Sequence, residues 1–313
     1  MKVVSNFEGD TPGGISVNLG FDSYGGDDDD TVLFYGFNTA FNSLADNYPN
    51  SKKILLDLWS PCEFTVGDMF PDRNNATMFD RFDKVLNICP YTMEWYNNTE
   101  GNNKHSYICH PHPIDADISI VDSVLDATKS YEVCYFGGLH GKDHHECLSH
   151  MRDFNYRFIS QQNYDGVTDL NVGINEKLDL VAKCRVSVCY NFVPLREDMI
   201  RCIKAYDRWE ENEAFKHIDD LSVMPQLKAR FFEAAICGAV NLVKRDSWNV
   251  IDRHMEPNID YIPFDNNDEL PSLIKEVNDN FDKYRKMRRS AFEKSLLYGP
   301  KETFREIDRL AHI

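Results

Sequence analysis

The stretch KARFFEAAICGAV, residues 228–240, decides how this chain is read. Phe231, Phe232, Ala235, Ile236 and Ala239 recur at helical spacing and form one apolar face. Against that buried character stand Lys228, Arg230 and Glu233, all in the first turns. Cations near a helix N-terminus oppose its dipole, so helix stability does not account for the two basic residues. At the mouth of a cleft they would neutralise a diphosphate, Arg230 with its planar fork above all. A carboxylate at Glu233 would accept two hydroxyl hydrogen bonds, which suits a ribose diol. The plainer reading is an Arg230–Glu233 ion pair at i, i+3 on an exposed helix edge.

Around this helix the chain alternates strands and helices. Strand-like runs occur at 2–7, 31–37, 52–59, 83–89 and 105–109, with a helix at 38–48 whose N-cap is Asn38. HPHPIDADISIVDS breaks the rhythm with Pro111 and Pro113. The pattern then restarts: strand 132–138, helix 143–151, strand 156–160, helix 175–184, strand 185–192. A charged helical insertion over 196–220 follows, then the helix at 226–237, strands at 239–244 and 260–264, and a helix at 267–284. Helical segments at 284–297 and 301–311 close the chain. Apolar strands separated by helices make parallel sheets covered on both faces. Two successive units of this kind predict an α/β protein of two facing Rossmann-like domains, with the C-terminal helices packing back on the first. The boundaries are 1–112 for the first domain, 113–130 for a linker, 131–284 for the second domain and 285–313 for the closing helices.

The bulk composition fits this plan. At 313 residues, 42% hydrophobic and 27% charged, the chain can build two cores. A net charge of -17 argues against general attraction to nucleic acid or anionic membranes. The one basic cluster, DKYRKMRRS (Lys283, Arg285, Lys286, Arg288, Arg289), reads as a solvated helix face, with an anionic partner as the alternative. The acidic run Asp27–Asp30 reads as a solvated loop, unless Asp30 faces the cleft. Nine cysteines, with no C-x-x-C pair, sit mostly in apolar runs and read as reduced core residues, which favours a cytoplasmic location. No apolar run reaches the ~20 residues of a membrane span. His110, His112, His140, His144 and His145 lack a ligand pattern, so no metal site is expected.

YFGGLHGKD supplies the partner feature to residues 228–233. A strand runs into Gly137 and Gly138, then Gly141 and Lys142, then a helix. Glycines let backbone amides approach an anion, and the helix start and Lys142 add positive charge. The loop fits neither G-x-G-x-x-G nor the Walker pattern, so alone it is only a tight turn.

Taken with IDYIPFDNNDELPSLIKEV, the segment KARFFEAAICGAVNLVKRDS resembles the donor-binding half of GT-B glycosyltransferases, in the group with a terminal R-x-x-E-x-x-x-x-G helix. EVCYFGGLHGKDHHE is similar to the opening strand and loop of that half, and YICHPHPID to the hinge before it. The resemblance spans about residues 105–280. It implies a nucleotide-diphosphate sugar, such as a UDP-sugar, as donor, with Glu233 on the ribose, Lys228 and Arg230 toward the diphosphate, and Gly138 with Lys142 on the phosphate side. Pro225 stands where many retaining members carry a further glutamate, so the resemblance leaves the stereochemical course open.

In the first half, the loop after the opening strand would face the cleft in such a fold. Gly13 and Gly14 then approach sugar or acceptor, and Asp10 is a candidate base. Asp57 and Glu63 compete for that role, since transfer to a hydroxyl needs a group to take its proton. No metal or other cofactor is required in principle, because cations and helix dipoles can carry the leaving group's charge. The expected acceptor is a glycan or small molecule; a hydroxylated DNA base, as in phage-type DNA glycosyltransferases, is compatible but disfavoured by the net charge. A catalytically inactive nucleotide-binding regulatory or interaction protein is the alternative.

Overall fold

The computed structural model describes residues 1–5, 19–27, 29–35, 44–58, 79–101, 103–139, 141–205, 209–220 and 222–313. In the first half, β1 (Lys2–Ser5), β2 (Thr31–Tyr35), β3 (Lys52–Asp57), β4 (Lys84–Asn87) and β5 (His105–Tyr107) lie side by side in chain order. All four pairings are parallel. Strand alternation sends Val32 and Phe34 to one face and Leu33 and Tyr35 to the other, and both sets are buried. On the first face lies α1 (Pro90–Glu100), whose opening proline gives up an N–H that a first turn does not need. Trp95 and Tyr96 from this helix enter the core there.

A short helix, α2 (Val121–Asp126), leads into the second sheet. Its elements follow as β6 (Tyr131–Phe136), α3 (Gly141–Met151), β7 (Tyr156–Ser160), β8 (Asp169–Leu170), α4 (Ile174–Ala182) and β9 (Cys184–Cys189). From β9 the chain forms the antiparallel pair β10 (Phe192–Pro194) and β11 (Val223–Pro225) around the insertion, which contains α5 (Glu197–Lys204). It then re-enters through α6 (Ala229–Ile236), β12 (Val240–Lys244), β13 (Ile262–Phe264) and α7 (Leu270–Asp279). The six parallel strands are ordered β13-β12-β9-β6-β7-β8. The chain works outward from β6 through β7 and β8, then jumps back to β9 on the other side. The reversal between β6 and β9 makes a crevice at the carboxyl ends of those strands. Among the described residues the first sheet has no such reversal.

The insertion does not stay with the sheet it interrupts. Met199, Ile203, Ala214, Phe215 and Ile218 join the core beside Val32 and Phe34 of the first sheet and Trp95 of α1. The Trp95 and Phe215 rings meet edge-on at 5.2 Å, and Asn212 Nδ2 donates to the Tyr91 carbonyl at 3.2 Å. Back toward the second sheet, Trp248 Nε1 donates to the Glu213 carbonyl at 2.7 Å. The opposite face of the first sheet takes Ile307 and Ala311 from α9 (Pro300–Ala311), whereas α8 (Arg285–Ser295) places Ala291 among α6 residues. The C-terminal helices therefore do pack back, but only the last one reaches the first sheet.

Several local expectations change. The helix expected over 226–237 is shorter, because Val223–Pro225 pairs as a strand and the Gln226 and Lys228 amides that follow are taken by Asn191. Among its described residues the insertion holds one α-helix, and its second half has short 3-10 turns at Trp209–Glu211 and Glu213–Phe215. The helix expected over 267–284 divides at Asn280 into α7 and a 3-10 turn at Phe281–Tyr284. The basic cluster is a surface face except at one position: Lys283 and Lys286 are exposed, Arg285 and Arg289 pair with Asp122 on α2, and buried Arg288 donates to the Gly238 and Leu125 carbonyls. Asp30 precedes β2, at the edge of the sheet opposite to Asp57. The helix expected at 38–48 lies mostly outside the described residues.

Candidate functional site

The crevice at the β6–β9 reversal is built from three chain segments. The first is the end of β6, where Gly137 holds a φ of 125° and Tyr135 Oη donates to the Gly138 carbonyl at 2.8 Å. The second is the end of β9, at Cys189, Tyr190 and Asn191. The third is the start of α6, with Lys228 in the N-cap position. Asn191 joins the last two: its carbonyl accepts from the Gln226 amide at 2.9 Å and its Oδ1 from the Lys228 amide at 3.1 Å.

Arg230 lies across this junction. Its guanidinium sits 5.0 Å from the Tyr135 ring centroid, a cation-π arrangement. A methyl group on Gly137 would stand 2.3 Å from Arg230 Nη2, so the absent side chain is what admits the guanidinium. Arg230 Nη1 and Asn191 Nδ2 are buried donors that meet no acceptor among the described residues. Buried polar groups are normally paired, and an anion is a partner that both of these donors would fit. Burial pushes the Tyr135 phenol and the Cys189 thiol up to about 12 despite the neighbouring Arg230 charge, so both stay neutral.

Glu233 pairs with a residue that the sequence reading did not single out. Both its oxygens accept from Lys177 Nζ of α4, each at 3.0 Å, and the two side chains are almost wholly shut from solvent. The ammonium also lies 5.5 Å from the Phe136 ring centroid. The expected Arg230–Glu233 pairing gives way to Lys177. Lys177 was legible as an anomaly: with Ile174, Leu178 and Val181 it shares the inward face of α4.

The remaining expected residues scatter. Gly138 is in the crevice, but Lys142 pairs with Glu146 at 3.2 Å on the exposed side of α3, 89% accessible. Asp57 is buried at the carboxyl edge of the first sheet, accepting from Asn87 Nδ2 at 3.4 Å. Asn87 Oδ1 in turn accepts from His105 Nδ1 at 2.9 Å, which fixes that ring's proton. Asp10, Gly13, Gly14 and Glu63 lie outside the described residues. Of the histidines, His144 is core packing against Tyr190, and His112 latches the linker to α8 by donating from Nε2 to the Ser295 carbonyl at 2.8 Å. His110 borders the crevice; burial, with the Lys228 charge nearby, lowers it to about 4, and its Nδ1 donates to the Pro111 carbonyl at 2.8 Å. His140 is outside the described residues. Among the described residues no group of three or more His, Cys, Asp or Glu side chains is placed to hold a metal ion. Cys89, Cys109, Cys134, Cys147, Cys184, Cys189 and Cys237 are buried free thiols, and no described helix is long and apolar enough to cross a membrane.

This architecture is that of the GT-B fold. The family model described as "Glycosyl transferase-like" matches residues 201–299, which include Lys228, Arg230 and Glu233. Among solved structures, HepE of Anabaena in complex with UDP-glucose superposes over 91% of this chain and 79% of its own, with a TM-score of 0.54 at 10% identity. Sucrose-phosphate synthase of Thermosynechococcus elongatus does so over 90% and 73%, with a TM-score of 0.56 at 11% identity. The pneumococcal O-GlcNAc transferase GtfA, solved with UDP and GlcNAc, covers 93% of this chain and 58% of its own, with a TM-score of 0.51 at 7% identity. No curated protein sequence matches the chain.

Proposed function

We propose that this protein is a glycosyltransferase that moves a sugar from a nucleotide-diphosphate sugar to a hydroxyl acceptor. The observation that carries the reading is Arg230: a guanidinium buried at the sheet reversal, with Nη1 unpaired, in the segment matched by the glycosyl transferase-like model. There it would take the diphosphate, whose charge grows as the glycosidic bond breaks, together with the amides that open α6. Lys228 extends the positive field, and Glu233, held by Lys177, accepts the ribose hydroxyls. The uridine nucleotides bound by the HepE and GtfA structures support UDP as the nucleotide.

Residues 1–112 form the acceptor side in this reading, joined by the linker at 113–130 to a donor domain at 131–284. Asp57 is the described candidate for the acceptor's base, with Asp10 and Glu63 as its competitors. A glycan or small-molecule acceptor suits a chain of net charge -17 better than DNA does. Transfer proceeds without a metal, and the buried free thiols support a cytoplasmic setting. The enclosure of Glu233 by Lys177 favours the second reading, a nucleotide-binding protein that does not turn over.

Thermal shifts with UDP, GDP and dTDP, followed by hydrolysis and transfer assays on the matching sugars with and without EDTA, test the proposal. A stabilising nucleotide and metal-independent turnover that Arg230→Ala abolishes are expected. Binding without turnover of any donor would select the inactive reading, and no binding at all would defeat both.

A further inference from the structure

Asn191 ends the apolar run VSVCY with a fully buried amide. Three of its contacts are spoken for. The carbonyl takes the Gln226 amide, Oδ1 takes the Lys228 amide at 3.1 Å, and the Cys189 thiol lies 3.8 Å from the same Oδ1. Because a backbone N–H can only donate, Oδ1 must be the atom facing Lys228, and the side chain cannot be flipped. That leaves Nδ2 aimed elsewhere as a buried donor with no acceptor among the described residues. Arg230 Nη1 is in the same condition. Both side chains bear on Cys189: Asn191 by the thiol contact, Arg230 by its charge, with Lys228 adding a second cation. The acidic group acting on that thiol, Asp246, already accepts from the Trp248 and Asn249 amides.

We infer that Asn191 is a second diphosphate-binding residue, donating from Nδ2 to the anion that Arg230 takes while its Oδ1 holds the start of α6 in place. This rests on the donor-site reading above. The pairing is sign-selective: an amide offers the anion a proton and offers Lys228 a lone pair, and no carboxylate does both.

Asn191→Asp keeps the acceptor for Lys228 and turns the donor into a repelling oxygen. Calorimetric titration of the full chain with UDP, inorganic pyrophosphate and uridine reads the outcome. UDP and pyrophosphate binding should weaken about 100-fold, with uridine unchanged. Asn191→Ala, which adds no charge, covers the case in which the aspartate variant does not fold, and should weaken UDP about tenfold but not uridine. Unchanged UDP affinity in a folded variant, or an equal loss for UDP and uridine, overturns the inference while leaving the donor site standing. A wild-type chain that binds no nucleotide diphosphate overturns both.

Discussion

Lys177 grips Glu233 from α4 to α6, its ammonium 3.0 Å from each carboxylate oxygen in a space closed to solvent. Removing one partner strands the other's charge. Lys177→Met should destabilise the protein by about 3–5 kcal/mol in urea unfolding, whereas the double change with Glu233→Met should recover most of that loss. A double variant as unstable as the single one would show that the stranded carboxylate is not the source of the loss.

Gly137→Ala separates function from folding. The added methyl meets the far end of a flexible side chain, so Arg230 can swing away at small cost, while the backbone at φ 125° adds strain of roughly 1–3 kcal/mol. UDP affinity should then fall as far as in Arg230→Ala, about 100-fold. Titration showing Gly137→Ala folded and binding UDP like wild type would mean that Arg230 does not act from where the structure places it.

Acid should loosen the fold before it unfolds most proteins of this kind. Burial lowers His110, His112 and His254 from 6.5 to about 4. Below 6.5 the unfolded chain takes up protons that the folded chain refuses, so stability is complete above that pH and is lost as pH falls toward 4. Each ring contributes up to about 3 kcal/mol. Asp246, raised by burial to about 6, acts in the opposite sense: its contribution is present at low pH and lost as pH rises through 6, so it offsets one histidine. Urea midpoints at pH 7 and pH 5 should differ accordingly. His112→Gln should reduce that difference.

Phe215→Ala removes a side chain that comes from the second half of the sequence but packs under the first sheet. A loss of about 3–5 kcal/mol is expected, and calorimetry should show one transition moving as a whole. Two transitions, only one of them displaced, would mean that the insertion is peripheral.

The parallel sheets were legible because runs such as KKILLD and CRVSVC have the continuous apolar character of strands covered on both sides. Their order was not, since nothing local to β9 says that it returns to the far side of β6. Charges that helix stability could not justify pointed to the start of α6, which the structure sets against Gly137, yet the partner of Glu233 was missed because Lys177 looks ordinary unless the inward face of α4 is drawn. Asn191 escaped for a related reason: a polar residue closing an apolar strand reads as a turn. The insertion looked like a surface addition, because its destination lies more than a hundred residues upstream of its own sheet.

That destination limits how the chain can be divided. Cladding for one flank of the first sheet is encoded inside the donor half, and cladding for the other at the last helix. A fragment ending at the linker would lose part of the cover on both flanks, keeping α1 on one and Phe21 on the other. A second domain taken from another protein of this fold would have to bring the same cladding with it.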